Sequence, residues 1–121
     1  MDPFDRCNLF ELALERGPAH DGQGDISFRR IAVREELNGG CNFIDYAEIP
    51  PGSTIGLHRH RADEEEFYLV LAGEGEMSKD EAVFTVRPGD LIRNRPDGRH
   101  GLRNVGSDML RLFVFELSVV R

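Results

Sequence analysis

Hydrophobic and polar positions alternate along this chain in short runs, with turn residues between them and no sustained helical period, a pattern that predicts strands. Phe28 to Val33 and Asn42 to Ile49 read as strands. Pro50-Pro51-Gly52 reads as a turn that hands on to a third strand running through His60. Glu66 to Ala72 is a further strand, with Glu66, Tyr68 and Val70 on one face and Phe67, Leu69 and Leu71 on the other, both expected to be buried. Gly73 and Gly75 then bend the chain, Lys79-Asp80 makes a polar turn, and Ala82 to Val86 pairs back. After the Pro88-Gly89-Asp90 turn, Leu91 to Asn94, His100 to Asn104 and Leu110 to Leu117 complete a set of strands spaced as in a sandwich or small barrel. Cys7 to Arg16 alone admits a short helix, and its Phe10 to Leu12 segment reads equally as an edge strand. The expected class is all-β.

Length changes this picture little. At 121 residues the chain is expected to form one domain, 1–121, that buries a core without disulfides, with 1–27 as an N-terminal arm or edge segment. Cys7 and Cys41 lie far apart without a paired-thiolate spacing and are read as buried or half-buried thiols. The acidic start, Met1-Asp2-Pro3-Phe4-Asp5, is unlike a signal peptide, and no apolar run approaches membrane-spanning length. A cytoplasmic protein with no membrane partner is therefore expected. The formal net charge of −7 disfavours attraction to nucleic acid, so no nucleic-acid partner is expected either. Fourteen of the fifteen basic residues are arginine, which reads most simply as compositional bias; Arg29, Arg30, Arg93 or Arg95 would meet an anionic ligand only if it faced the interior.

Candidate chemistry concentrates in two stretches. His58 and His60 are two residues apart, and on a strand such side chains project from the same face at adjacent heights, so both imidazoles can reach one ion. Glu66 opens the following strand and suits the role of a carboxylate ligand, with Glu64 and Glu65 as fallbacks. Asp63 and Glu64 are read as lying in the connecting turn, and Glu65 should face away from Glu66. His100 is the candidate third imidazole, brought across by strand pairing. Three nitrogens and one oxygen suit a divalent first-row transition metal: manganese, iron, cobalt, nickel, copper and zinc all accept the set. Each histidine alone reads more simply as a surface residue. The paired spacing, the carboxylate and the distant third histidine reverse that balance. Tyr68 and Asn104 share the inward phase, and each reads first as core packing or a strand-end hydrogen bond.

On these residues the chain resembles a small single-domain cupin. The first cupin motif, G(X)5HXH(X)3-4E(X)6G, is matched by Gly52, His58, His60, Glu66 and Gly73, except that five residues separate His60 from Glu66. Glu66 keeps the six-residue distance to Gly73, which assigns the longer spacer to the turn. The second motif, G(X)5PXG(X)2H(X)3N, is matched at Gly89, His100 and Asn104, while its proline and glycine appear one residue late as Pro96 and Gly98. Both motifs lie within 52–104.

The resemblance implies a double-stranded β-helix (jelly-roll) barrel and metal-dependent small-molecule chemistry of dioxygenase, decarboxylase, isomerase or cyclase type. It also implies a homodimer. The leading expectation is a metal-dependent enzyme acting on a small oxygen-rich metabolite. The alternatives are a non-catalytic domain that binds or senses a sugar or small organic acid through the same metal, and a component working beside a separate synthetase or oxygenase.

Overall fold

In the computed structural model, residues 4–119 are described. Strands dominate them, in the order β1 (Glu15–Gly17), β2 (Ile26–Val33), β3 (Cys41–Ile49), β4 (Thr54–Arg59), β5 (Glu64–Ala72), β6 (Gly75–Lys79), β7 (Ala82–Val86), β8 (Leu91–Asn94), β9 (Arg99–Asn104) and β10 (Leu110–Ser118). They form two antiparallel sheets: a six-stranded one ordered β1-β2-β3-β10-β5-β8 and a four-stranded one ordered β4-β9-β6-β7. The chain crosses between the sheets repeatedly, giving the jelly-roll barrel. Among the described residues no helix is long and apolar enough to cross a membrane.

The period-two pattern places the core. Ile49, Val70, Leu110 and Leu112 from the six-stranded sheet meet Met77, Val86 and Leu102 from the four-stranded one, and all are essentially sealed from solvent. This packing fills one end of the barrel, while the other end opens into a cavity lined by both polar and apolar side chains. Gly73 turns between β5 and β6 with φ +82°, and any Cβ there would collide with the Met109 carbonyl, so the motif glycine is required by both backbone and space.

Three expectations need correction. The Cys7 to Arg16 segment is neither a helix nor an edge strand at Phe10; it makes one 3-10 turn at Leu9–Glu11, and the edge strand begins at Glu15. Phe10 lays its ring edge-on against Tyr46, covering that residue on the outer face of the sheet. Cys7 is exposed rather than buried. The outer face of β5 is only half-buried, because no second layer among the described residues covers it; Phe67 instead stacks on Phe115 at 4.9 Å.

Candidate metal centre

His58 lies on β4, His60 one residue beyond its end, Glu66 on β5 and His100 on β9. His58 and His100 are direct partners across the β4–β9 pair, which explains how residues 42 positions apart meet. Each of the four offers a donor atom, and these atoms lie within 4.8 Å of one another. Glu66 Oε1 is 3.1 Å from His60 Nε2 and 3.2 Å from His100 Nε2. The rings of His60 and His100 stack at 4.6 Å. All four predicted residues therefore converge, and Glu66, His60 and His100 are buried.

Neither fallback carboxylate joins the set of four, although Glu64 lines the same cavity and groups with His60 and Glu116 as a second possible donor cluster, its Oε1 3.9 Å from His60 Nδ1. Glu65 points outward to Arg93 at 2.9 Å. Glu64 already belongs to β5 rather than the turn, and its carboxylate accepts from the Arg61 backbone N–H at 3.2 Å. The extra spacer is absorbed in the turn at residues 62–63. The displaced Pro96-Asp97-Gly98 turn docks on the same corner: the Gly98 carbonyl accepts from the His60 backbone N–H at 2.9 Å, and the Arg61 carbonyl from Asp97 at 3.1 Å. Asn104 ties the strand end, donating to the carbonyls of Ile49 at 2.7 Å and Asp108 at 2.8 Å.

The surroundings decide how the imidazoles present themselves. His58 Nδ1 sits 2.7 Å from the Gly56 carbonyl, which can only accept, so Nδ1 carries the proton and Nε2 keeps its lone pair. Burial lowers its pKa to about 4, keeping the ring neutral at ordinary pH. His60 turns Nδ1 to Glu116 Oε1 at 3.3 Å and Nε2 to Glu66. Burial opposes charge on His60, but hydrogen bonds to Glu116 and Glu66 outweigh it and push the pKa up to about 10. For Glu66, burial is likewise outweighed by hydrogen bonds from His100 and His60, which hold the carboxyl down at about 2. Tyr68 places its hydroxyl 3.2 Å from His100 Nε2, and burial keeps it a neutral phenol.

This donor set fits a divalent transition metal. It combines imidazole nitrogens with one buried carboxylate, and two of the histidines have their outer nitrogens engaged by a carbonyl and a carboxylate, the arrangement that fixes tautomer and orientation in metal-ligating histidines. His100 Nδ1 is buried without a hydrogen-bond partner among the described residues.

Sequence reasoning missed three neighbours. Glu116 is the lone acid in the inward phase of Leu110, Leu112 and Val114, and that phase was its signal. Asp45 in β3 forms two 2.9 Å hydrogen bonds with Arg30, the one arginine of the four considered that lines the cavity. His20 stacks on His58 at 3.5 Å from the loop before β2. Ala19 bridges Ile55, and a Cβ at Gly56 would strike the His20 carbonyl, so β4 accepts this loop only because residue 56 is glycine. Nothing in local spacing announces that contact. Above the centre opens a cavity of about 490 Å³ that these side chains help line.

Comparison with known proteins points one way. A family model described as "Cupin domain" matches residues 45–118. An oxalate-binding protein of Thermotoga maritima is 27% identical over 86 residues, covering 71% of this chain and 70% of that protein. A polyketide synthase, CurC, of Streptomyces cyaneus is 33% identical over 95 residues, 78% of this chain and only 59% of that protein's length. Among solved structures, a predicted oxalate decarboxylase from Thermotoga maritima superposes with a TM-score of 0.87 at 24% identity, covering 93% of this chain and 97% of that one. The cupin domain of Schizosaccharomyces pombe Cnp3 superposes with a TM-score of 0.78 at 12% identity, over 95% of this chain and 74% of the other. At these identities the structural likeness shows the fold.

Proposed function

This chain belongs to the cupin family, and from the buried centre at the base of its cavity we propose that it is a metal-dependent enzyme acting on a small oxygen-rich metabolite. His58, His60, Glu66 and His100 hold one divalent transition-metal ion. The observation that carries this reading is the convergence of four donor atoms within 4.8 Å from three separate strands and a strand end. Such an ion supplies Lewis acidity when bound and, if redox-active, electron-transfer chemistry as well.

The chain's own residues divide the remaining work. Glu66 offsets part of the cation's charge. Gly56 and Glu116 keep His58 and His60 pointed inward. Tyr68, held neutral by burial, offers a phenolic hydroxyl beside the centre that can donate to an oxygen of the metabolite. Ile26, Ile55 and Val114 line the cavity and limit water around it.

Elemental analysis of untagged protein against a His58→Ala variant tests the metal; turnover of a panel of keto acids, sugars and phenols, with and without dioxygen, tests catalysis. We expect near-stoichiometric metal that disappears in the variant, and metal-dependent conversion of at least one compound. Tight binding without conversion across metals would favour the second reading, a non-catalytic domain for a small organic acid, which the name of the Thermotoga oxalate-binding relative supports. A homodimer is part of the proposal. The half-buried Phe67, Phe113 and Phe115 on the outer face of the six-stranded sheet offer it an apolar surface, and sedimentation analysis would read the stoichiometry.

A further inference from the structure

We infer that the ligand of this centre carries an apolar ring system behind its metal-chelating oxygens, and that Arg30 meets a hydroxyl or carbonyl oxygen at the far side of that body. The inference rests on the reading of His58, His60, Glu66 and His100 as a metal site and adds the class of ligand.

Two features of the cavity, its size and the character of its wall, favour a ring compound. A cavity of about 490 Å³ lies within the range of roughly 300–1,000 Å³ that encloses drug-sized ligands. A two-carbon dicarboxylate would fill a small part of it. The wall is largely apolar. Beyond the centre, Ile26, Phe28, Phe43, Ala47, Ile55 and Val114 line the space. A small dianion has no apolar surface to lay against them, so they would stay wet while the ion was partly desolvated. A ring compound buries them and gains from doing so.

One polar pair interrupts this wall. Arg30 and Asp45 are cross-strand partners on β2 and β3, and their side chains also line the cavity. Nε and Nη2 of Arg30 each donate to Asp45 at 2.9 Å, and the guanidinium lies 4.1 Å over the Phe43 ring. This geometry fixes the fork and spends two of its five N–H groups. Nη1 makes no hydrogen bond among the described residues and is available to a ligand. Because Asp45 already balances the charge, the pair suits a neutral oxygen acceptor better than a second carboxylate.

Calorimetry with cobalt(II)-loaded protein tests the inference through two probes sharing one chelating group, salicylate and 1-hydroxy-2-naphthoate, with oxalate as the small reference. The naphthoate is expected to bind at least about tenfold tighter than salicylate, since the added ring is buried apolar surface. Phe28→Ala should shrink that ratio; if it folds poorly, Val114→Ala reads the same loss. A second hydroxyl on the distal ring should raise affinity in the wild-type protein and not in Arg30→Met. Protein that loads cobalt and binds oxalate but does not prefer the naphthoate would overturn the inference and leave the metal reading intact. An equal gain from the distal hydroxyl in Arg30→Met would remove Arg30 from it. Failure to load any metal, seen by elemental analysis, would sink the underlying reading and this inference together.

Discussion

The two sheets bring different chemistry to one centre. The four-stranded sheet supplies the imidazoles: His58 on β4, His60 at its end and His100 on β9. The six-stranded sheet supplies oxygens: Glu66 and Tyr68 on β5 and Glu116 on β10, where Glu116 and Glu66 are direct cross-strand partners. On the nitrogen side a backbone carbonyl sets which ring nitrogen of His58 is free. On the oxygen side carboxylates set the charge. Neither sheet holds a site alone, so the centre exists only when the barrel closes, and an ion bound there bridges the closure.

The sharpest way to break this contrast is to remove one member from each side. His100→Ala and Glu66→Gln are both expected to drop metal content from near-stoichiometric to background in elemental analysis, the first by losing a donor and the second by losing the charge while keeping the shape. If Glu66→Gln retained full metal, the oxygen side would be reduced to a structural role. An ion that bridges the two sheets also stabilises the closed barrel. With free metal at about 100 times its dissociation constant, linkage adds about 2.7 kcal/mol, a rise in Tm on the order of ten degrees. His58→Ala should show no such rise in a thermal melt.

A smaller effect tests the outer partner. Glu116→Gln leaves the four donors in place but loosens His60, and loss of such a partner typically costs about 10- to 100-fold in metal affinity. The same histidine gives the pH dependence its sign. Without metal, its pKa of about 10 means that the ring is an imidazolium at neutral pH, with Nε2–H directed at Glu66 and Nδ1–H at Glu116. A cation needs Nε2 as a lone pair, so binding releases about one proton and affinity rises with pH, weakening as pH falls. Titration calorimetry in buffers of different ionisation enthalpy would read that proton, and a buffer-independent heat would contradict it.

Much of this was legible in the sequence, and the limits have physical causes. Strand alternation located most strands within a residue or two, because inward and outward phases differ sharply in polarity. His58, His60 and Glu66 come together because their spacing follows local geometry. What escaped were contacts made by distant segments. His20 reaches His58 through a loop that fits only because Gly56 has no side chain. Glu116 joins His60 through sheet closure, 56 residues away. The outer face of β5 misled for the opposite reason: its apolar residues suggested a covering layer, yet they stack among themselves at a half-buried surface.

The smallest expected effect lies at the far end of the oxygen row. Asn94 on β8 is the cross-strand partner of Glu66, so Glu116, Glu66 and Asn94 form one polar line across three strands of the six-stranded sheet. Its side chain is 2% exposed, and neither amide atom has a hydrogen-bond partner among the described residues. A buried unpaired polar group costs about 1–3 kcal/mol. Asn94→Leu removes that cost at similar volume, so denaturant unfolding of the metal-free protein should show a gain of about 1 kcal/mol. A loss of about 2 kcal/mol or more would instead mean that the amide is engaged by ordered water. The oxygen row would then be a hydrated network reaching from Glu116 to β8, and the contrast between the sheets would be one of solvation as well as of donor type.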